Sequence, residues 1–318
     1  MLRYTLRRLL MLGLTLVVAS LLVFALTTVL PGDVGRIMLG PFADEAAVAQ
    51  VNRELGLDQP VVQRYLDWVG GVLRGDWGHS YTLETPVLPL ALERLGRSLL
   101  LAGLALALLI PTALAAAVVA GRRAGGWLDR TGSITALVLS AMPEFVTGVL
   151  LIMVFGVMLG WLPVQALPPE GSGLPETLRH LLMPALSLAL LLFAYLFRMA
   201  RDGMITELRA DYTRTAVLKG LPPGVVIRRH VLRNALLPTV TVIGAQVGWL
   251  VGGLVVVESL FRYPGIGGLI HGAALDKDIP LLAGCALLIT LVYALANMLA
   301  DLVYAALNPK VRRGMGGR

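Results

Sequence analysis

The chain has 318 residues, 57% of them hydrophobic and only 15% charged, with a net charge of +7 and a mean hydropathy of +0.77. A soluble domain of this length does not carry so apolar a composition, so the sequence reads as an integral membrane protein. Cys285 is the single cysteine, which excludes a disulfide framework and a thiolate metal site. The excess of Lys and Arg is explained by loop sidedness and not by nucleic acid.

Arg3, Arg7 and Arg8 precede an apolar run from Leu9 to Leu30 that ends at Pro31-Gly32-Asp33. At about 20 residues it spans a bilayer and exceeds the core of a cleaved signal, and no Ala-x-Ala exit site follows it. It reads as a first transmembrane helix with its N-terminus inside. Residues 31–96 are polar and net acidic, as expected outside the membrane. Two short helices are expected there. Asp44 starts one that stops at Gly56, and Pro60 lies in the first turn of another, whose Val62, Tyr65, Leu66, Val69 and Leu73 share one apolar face. That face is expected on the bilayer or on neighbouring helices.

Five further spans are predicted, at 97–120, 132–160, 179–200, 236–258 and 280–306, which places both termini in the cytoplasm. Kinks are expected at Pro111 and Pro143. The connections obey this sidedness: Arg122, Arg123 and Arg130 join the second and third spans, eight Lys or Arg lie between Arg198 and Arg233, and Lys310, Arg312, Arg313 and Arg318 end the chain. The fold class is therefore an all-α membrane protein with six transmembrane helices, read as one membrane domain over 1–318. It has an external segment at 31–96, a cytoplasmic segment at 198–235 and an external loop at 259–279. Gly244, Gly248 and Gly252 recur every four residues on the fifth span and permit close helix approach, within the chain or to another subunit.

The 198–235 segment is the long basic stretch between apolar ones. Tyr212 to Lys219 reads as helix, Gly220 as a left-handed stop, and Pro222 or Pro223 as the first turn of a second helix. Arg229 and Arg233 share one face of that helix, and Ile227 and Val231 another. Two short helices meeting at Gly220-Leu221 make a compact knob. The chain carries no phosphate-binding Gly-x-x-x-x-Gly-Lys-Ser/Thr loop, so work from ATP would have to arrive through a protein contact, and this knob is the body able to receive it.

The pattern Asp-Tyr-x-Arg-Thr-Ala-x-x-Lys-Gly-Leu at 211–221, followed by Arg-His-x-Leu-Arg-Asn-Ala-Leu-Leu-Pro at 229–238, resembles the coupling loop of ATP-binding-cassette importer permeases of the dipeptide, oligopeptide and nickel branch. Leu57-Asp58-Gln59-Pro60, Gly75-Asp76-Trp77-Gly78-His79-Ser80, His180 to Pro184, Glu258 to Gly267, and Asn297 with Asp301 and Tyr304 are similar to that branch too. The long segment after the first span resembles the first of the two permeases such systems encode. Two departures stand out. Arg214-Thr215-Ala216 replaces the Glu-Ala-Ala of the wider superfamily, and Ala216-Val217-Leu218-Lys219-Gly220 replaces Ala-Arg-Ala-Lys-Gly, which removes one basic contact.

The resemblance implies a type I importer-permease fold in a bacterial inner membrane and a non-enzymatic transport subunit. It also implies a second homologous permease, two ATPase subunits that bind ATP and Mg²⁺, an external solute-binding protein, and no cofactor on this chain. Thr215, Ala216, Gly220 and Leu221 are expected to fit a cleft on the ATPase, with Arg214, Lys219, Arg228 and Arg229 at its rim. The transported solute stays open among dipeptides, longer peptides, nickel complexes, glutathione-like peptides and glycosides.

Glu144 follows Pro143 inside the third span, where an ionised group costs about 2.5 to 3.5 kcal/mol on insertion scales. It either lines the solute path or is paired or protonated at the kink. Glu258, Phe261, Tyr263, Pro264 and Gly265 belong to a Gly- and Pro-broken stretch that either dips toward the pore as a gate or is a plain loop. Asn297 and Asp301, one turn apart on the last span, are expected to make interhelical polar contacts. His79, His180, His230 and His271 form no ligand pair, and no nucleophile constellation is visible in support of a membrane-embedded hydrolase. An ion-coupled secondary transporter acting alone is the main competing reading. It requires ionisable residues at the midplane and inverted repeats, and no repeat is evident.

Overall fold

The computed structural model describes residues 2–29, 34–40, 42–54, 56, 58–169 and 171–307. The helices are α1 (Leu2–Val29), α2 (Val34–Leu39), α3 (Glu45–Glu54), α4 (Val61–Arg74), α5 (Val87–Arg122), α6 (Trp127–Ala141), α7 (Glu144–Leu151), α8 (Leu174–Leu208), α9 (Asp211–Leu218), α10 (Pro223–Val225), α11 (Leu232–Ala235), α12 (Leu237–Leu260), α13 (Ile266–Leu275) and α14 (Ile279–Leu307). π-Helical stretches continue α7 over Ile152–Met158 and link α10 to α11 over Val226–Val231. The described residues form no strand, only one antiparallel bridge between His79 and Pro86.

Among the described residues four helices are long and apolar enough to cross a membrane, in α1, α5, α8 and α14, and the bent pair of α6 with α7 and its π-helical continuation makes a fifth. α12 covers the fifth predicted span with 24 helical residues. The third predicted span is corrected: it is not one kinked helix over 132–160 but two pieces meeting at 107°. Met142 before the proline is extended, with ψ 129°, as the proline ring demands of its predecessor. Pro143 then serves as the N-cap of α7. Pro111, by contrast, lies within α5 without interrupting it.

The chain folds as two compact units. Unit 1 comprises 1–6, 99–263 and 295–318, and unit 2 comprises 7–98 and 264–294. In unit 1, α8 packs on α6, α7 and α12. Its main core joins Leu181, Met183, Leu188, Leu192 and Leu196 of α8 to Leu101 and Leu109 of α5, and to Leu250, Leu254 and Val257 of α12. Gly253 places α12 beside α7 and α8: a Cβ there would make ordinary contacts with Leu188 Cδ2 at 3.4 Å and Glu144 Oε2 at 3.6 Å. The surroundings of Gly244, Gly248 and Gly252 lie outside the described residues, as does the basic tail from Lys310 onward.

In unit 2, Val87, Ala91, Ile266, Ala273, Leu281 and Cys285 form the core. α13 occupies a stretch expected as broken loop. Its burial of Ile266, Gly267 and Ala273 supplies the reason, and the Ser98 hydroxyl accepts the Ile266 amide at 2.8 Å. On α4, Pro60 is the N-cap and not a first-turn residue, and Gly75 (φ 88°) closes the helix with its amide on the Gly71 and Val72 carbonyls. Tyr65 packs on Phe24 of α1 at 5.3 Å between ring centroids, while Val62, Leu66 and Leu73 remain exposed.

Candidate functional site

The 211–238 segment forms the knob. Thr213 donates its hydroxyl to the Glu207 carbonyl at 2.7 Å, which closes the end of α8 and starts α9. Gly220 has φ 76°, and the amides of Gly220 and Leu221 bond back to the carbonyls of Val217 and Ala216. This is a left-handed helix stop of the kind glycine accommodates without strain. Pro222 caps the next helix and Pro223 opens it.

Inside the knob Ala216, Val226, Val231 and Ala235 pack with Met204, flanked by Ile227 and Leu232. Ala216 is therefore a core residue of the knob itself, its side chain turned away from the surface expected to meet a partner. Arg214, Thr215, Lys219, Gly220, Leu221, Arg228 and Arg229 are all exposed. Between them stands an apolar ridge, with Val217 58% and Leu218 79% exposed. The two residues that depart from the family pattern are thus its most prominent feature.

Two polar clusters brace the knob. The Tyr212 hydroxyl donates to the Glu207 carboxylate and lies 3.5 Å from the His230 carbonyl oxygen. Partial burial and the Glu207 hydrogen bond both push its pKa up, while Asn234 and Thr213 oppose them. The Tyr212 hydroxyl thereby reaches from the end of α8 to the π-helical stretch that carries His230. The second brace was not legible in sequence. Asp129 of α6, 3% exposed, accepts two bonds from Arg201 of α8, through Nε and, at 2.8 Å, through Nη2. The Gly125 amide adds a third at 2.8 Å. Arg201 Nη1 also donates to Asp202 at 2.9 Å. α8 enters the knob immediately beyond this pair, so the brace fixes the helix that carries it.

The other sequence candidates separate. Glu144 opens α7 and faces Gly253 of α12. Nearby Gly148 leaves room for Leu260, Phe261 and the Ser187 hydroxyl, and that hydroxyl is buried without a hydrogen-bond partner among the described residues. Glu258 is fully buried, and Phe261 and Tyr263 are 1% and 6% exposed. Both aromatic residues belong to the core of unit 1. The Phe261 carbonyl accepts the Ala166 amide at 3.0 Å, and the Tyr263 amide donates to the Glu258 carbonyl at 2.8 Å. Pro264 and Gly265 fall in unit 2, where the Pro264 carbonyl accepts from Arg94 at 3.3 Å and Gly265 is the extended N-cap of α13. Asn297 and Asp301 are half-buried on α14.

A second buried acid was also missed. Asp278, 0% exposed, caps α14 by accepting the Leu281 amide at 3.2 Å. Its other oxygen accepts the Ser80 hydroxyl, the Thr82 amide at 3.0 Å and the Thr82 hydroxyl at 2.9 Å. The Gly75 to Ser80 motif is one of those that carry the family resemblance, and this clamp gives Ser80 a physical task.

Residues 110–313 match the family described as the binding-protein-dependent transport system inner membrane component. Residues 1–101 match the N-terminal membrane component of the same systems. The chain is 35% identical over 309 residues to a probable peptide ABC transporter permease protein, y4tP, of Sinorhizobium fredii, covering 97% of this chain and 99% of that one. It is 36% identical over 312 residues to the glutathione transport system permease protein GsiC of Pectobacterium atrosepticum and to that of Escherichia coli K12, covering 98% of this chain and 99% of each relative. Likeness along almost the whole of these chains, on a helical membrane scaffold, means that this chain belongs to the family of inner-membrane permease components of binding-protein-dependent ABC importers.

Proposed function

We propose that the chain forms half of the translocation pore of an ATP-driven importer and receives mechanical work through the 211–238 knob. The observation that carries this is the exposed ridge of Val217 and Leu218 between the exposed Arg214, Lys219, Arg228 and Arg229. An apolar strip rimmed by cations on an otherwise self-packed knob has the composition of a docking surface. In this reading the chain has six spans with both termini cytoplasmic, and ATP and Mg²⁺ belong to two ATPase subunits docked on this knob and on that of a second permease. An external binding protein delivers the solute. Closure of the ATPase pair draws the knobs together and rocks α8, braced by Asp129 and Arg201, so that the bundle alternates between its two openings. The peptide and glutathione permeases among the relatives support a peptide or related small solute.

Gly220→Asp tests the coupling. A Cβ at Gly220 meets nothing within 4 Å, and Asp tolerates the left-handed backbone better than most residues, so the variant should insert and fold while placing a negative charge amid the basic rim. The expected result is loss of solute-stimulated ATP hydrolysis in the reconstituted complex. Wild-type stimulation would sink the reading. Gentle extraction should also bring down a second permease and ATPase subunits, whereas a transporter that works alone would purify alone and active.

A further inference from the structure

Unit 2 holds a cleft of about 430 Å³ that the coupling mechanism does not use. Phe24 of α1, Arg64, Asp67 and Trp68 of α4, and Trp77 and Tyr81 of the loop after α4 line it. This volume lies in the range of sites for small molecules, and the mixture of aromatic walls with few charged groups is the usual composition of such sites.

Its walls are held from behind. Phe24 and Trp68 pack at 5.8 Å between centroids, and the Tyr65 hydroxyl is 2.9 Å from that of Ser20 on α1. On the other side the Asp278 clamp holds Ser80 and Thr82, the two neighbours of Tyr81. The Trp77 ring lies against α14, 3.4 Å from where a Cβ on Gly284 would stand, an ordinary contact distance. The cleft is therefore preorganised, which lowers the cost of binding.

The charges in it are unspent. Arg64 and Asp67 are three residues apart on α4, a spacing at which opposite charges commonly pair. Neither side chain has an ion-pair or hydrogen-bond partner among the described residues. Glu54, also on the cleft, is by contrast engaged by Gln50 at 3.0 Å. The Tyr81 phenol is pushed above its ordinary pKa first by burial and then by Asp278, and Arg64 opposes both. The guanidinium thus lies within electrostatic reach of the cleft's aromatic wall. One unpaired anion and one unpaired cation, a helical turn apart beside an aromatic surface, complement a molecule with an ammonium, an anion and an apolar body. The termini of an extended dipeptide lie roughly 7 Å apart, a span that two side chains so spaced can bracket.

The geometry points to a binding site for a short zwitterionic peptide in this cleft, with Asp67 facing its ammonium, Arg64 its carboxylate, and Trp68 and Trp77 its side chains. The inference rests on the proposed function for the class of solute and adds to it a subsite on the permease away from the knob.

The test is equilibrium binding of tritiated L-leucyl-L-leucine to the purified full-length chain in phosphatidylcholine nanodiscs. Saturable binding is expected, weakened about tenfold or more in Asp67→Asn and in Arg64→Gln, as for loss of one charge-assisted contact. N-acetyl-leucyl-leucine amide, which lacks both charges, should not compete, and this arm needs no variant to fold. Absence of saturable binding, equal binding by both variants, or competition by the blocked peptide would overturn the assignment. So would loss of binding on adding phosphatidylethanolamine to the nanodiscs, which would assign the cleft to a lipid headgroup. Gly220→Asp should bind the peptide normally, so failure of the subsite and failure of the coupling are read separately.

Discussion

Each unit hangs a short non-spanning element on one buried aspartate, and the two aspartates are neutralised by opposite means. In unit 1, Asp129 meets a full positive charge, the Arg201 guanidinium, in a two-pronged contact. In unit 2, Asp278 meets no cation among its hydrogen-bond partners. It is held by two hydroxyls and two amides at the N-terminus of α14, where the helix dipole favours an anion. The first arrangement reaches its aspartate chiefly through one long side chain, Arg201, which is 23% exposed, and leaves room for adjustment. The second fixes one short side chain by four donors from backbone and loop, and leaves almost none. A brace beneath an element proposed to transmit motion is thus built with more give than a clamp behind a preorganised cleft.

The contrast predicts unequal damage. Asp278→Ala should be the most destructive change, costing about 4 kcal/mol, because several buried donors lose a charged acceptor at once. The thermal midpoint of the purified chain should fall sharply, and no single second substitution should restore it. Asp129→Ala should cost about 3 kcal/mol, the lower end of the range for a broken buried pair, since Arg201 keeps Asp202 and some solvent. Here a second change should help: Arg201→Met removes the stranded charge, and apolar replacement of a buried pair is often tolerated. If Asp129→Ala with Arg201→Met is no more stable than Asp129→Ala alone, the guanidinium is not the source of the damage and the contrast between the units fails.

Neither aspartate could have been read from the sequence as a partner. Asp129 and Arg201 are 72 residues apart, and Asp278 and Ser80 are 198 apart, so no spacing rule connects them. What was legible was local. The left-handed stop at Gly220, the proline start beyond it and the shared face of Ile227 and Val231 all follow from backbone sterics and helical period, and all are present. Pro143 was legible as a disturbance but not as a 107° break, because the same residue type at Pro111 leaves α5 continuous. The difference lies in the backbone: Met142 is extended, and the chain restarts as a new helix whose first residue is Glu144. An acid there lies at the favourable end of the helix dipole, which a reading of Glu144 as a mid-span charge does not include. α13 escaped because its three glycines and short length resemble loop, whereas its burial against Val87 and Leu281 depends on chain segments far away.

The smallest expected effects come from two close approaches, and they sharpen the contrast at the level of single atoms. A Cβ at Gly203 in unit 1 would lie 2.4 Å from the Ala235 carbonyl oxygen, with the Ala235 carbonyl carbon and Cα at 3.3 and 3.5 Å. A Cβ at Gly284 in unit 2 would lie 2.5 Å from Val87 Cγ1. The first obstacle is backbone and can yield only if α11 moves away from α8. The second is the end of a side chain, which can shift. Gly203→Ala should therefore cost about 2 to 3 kcal/mol and Gly284→Ala about 1 kcal/mol, the two ends of the usual overpacking range. The second change separates the causes. Val87→Ala should relieve Gly284→Ala, returning the thermal midpoint of the double variant to that of Val87→Ala alone. Ala235→Gly should leave Gly203→Ala as damaged as before, because it removes a methyl group and not the carbonyl. Relief of Gly203→Ala by Ala235→Gly would mean that side chains, not backbone, set the distance between α8 and the end of the knob.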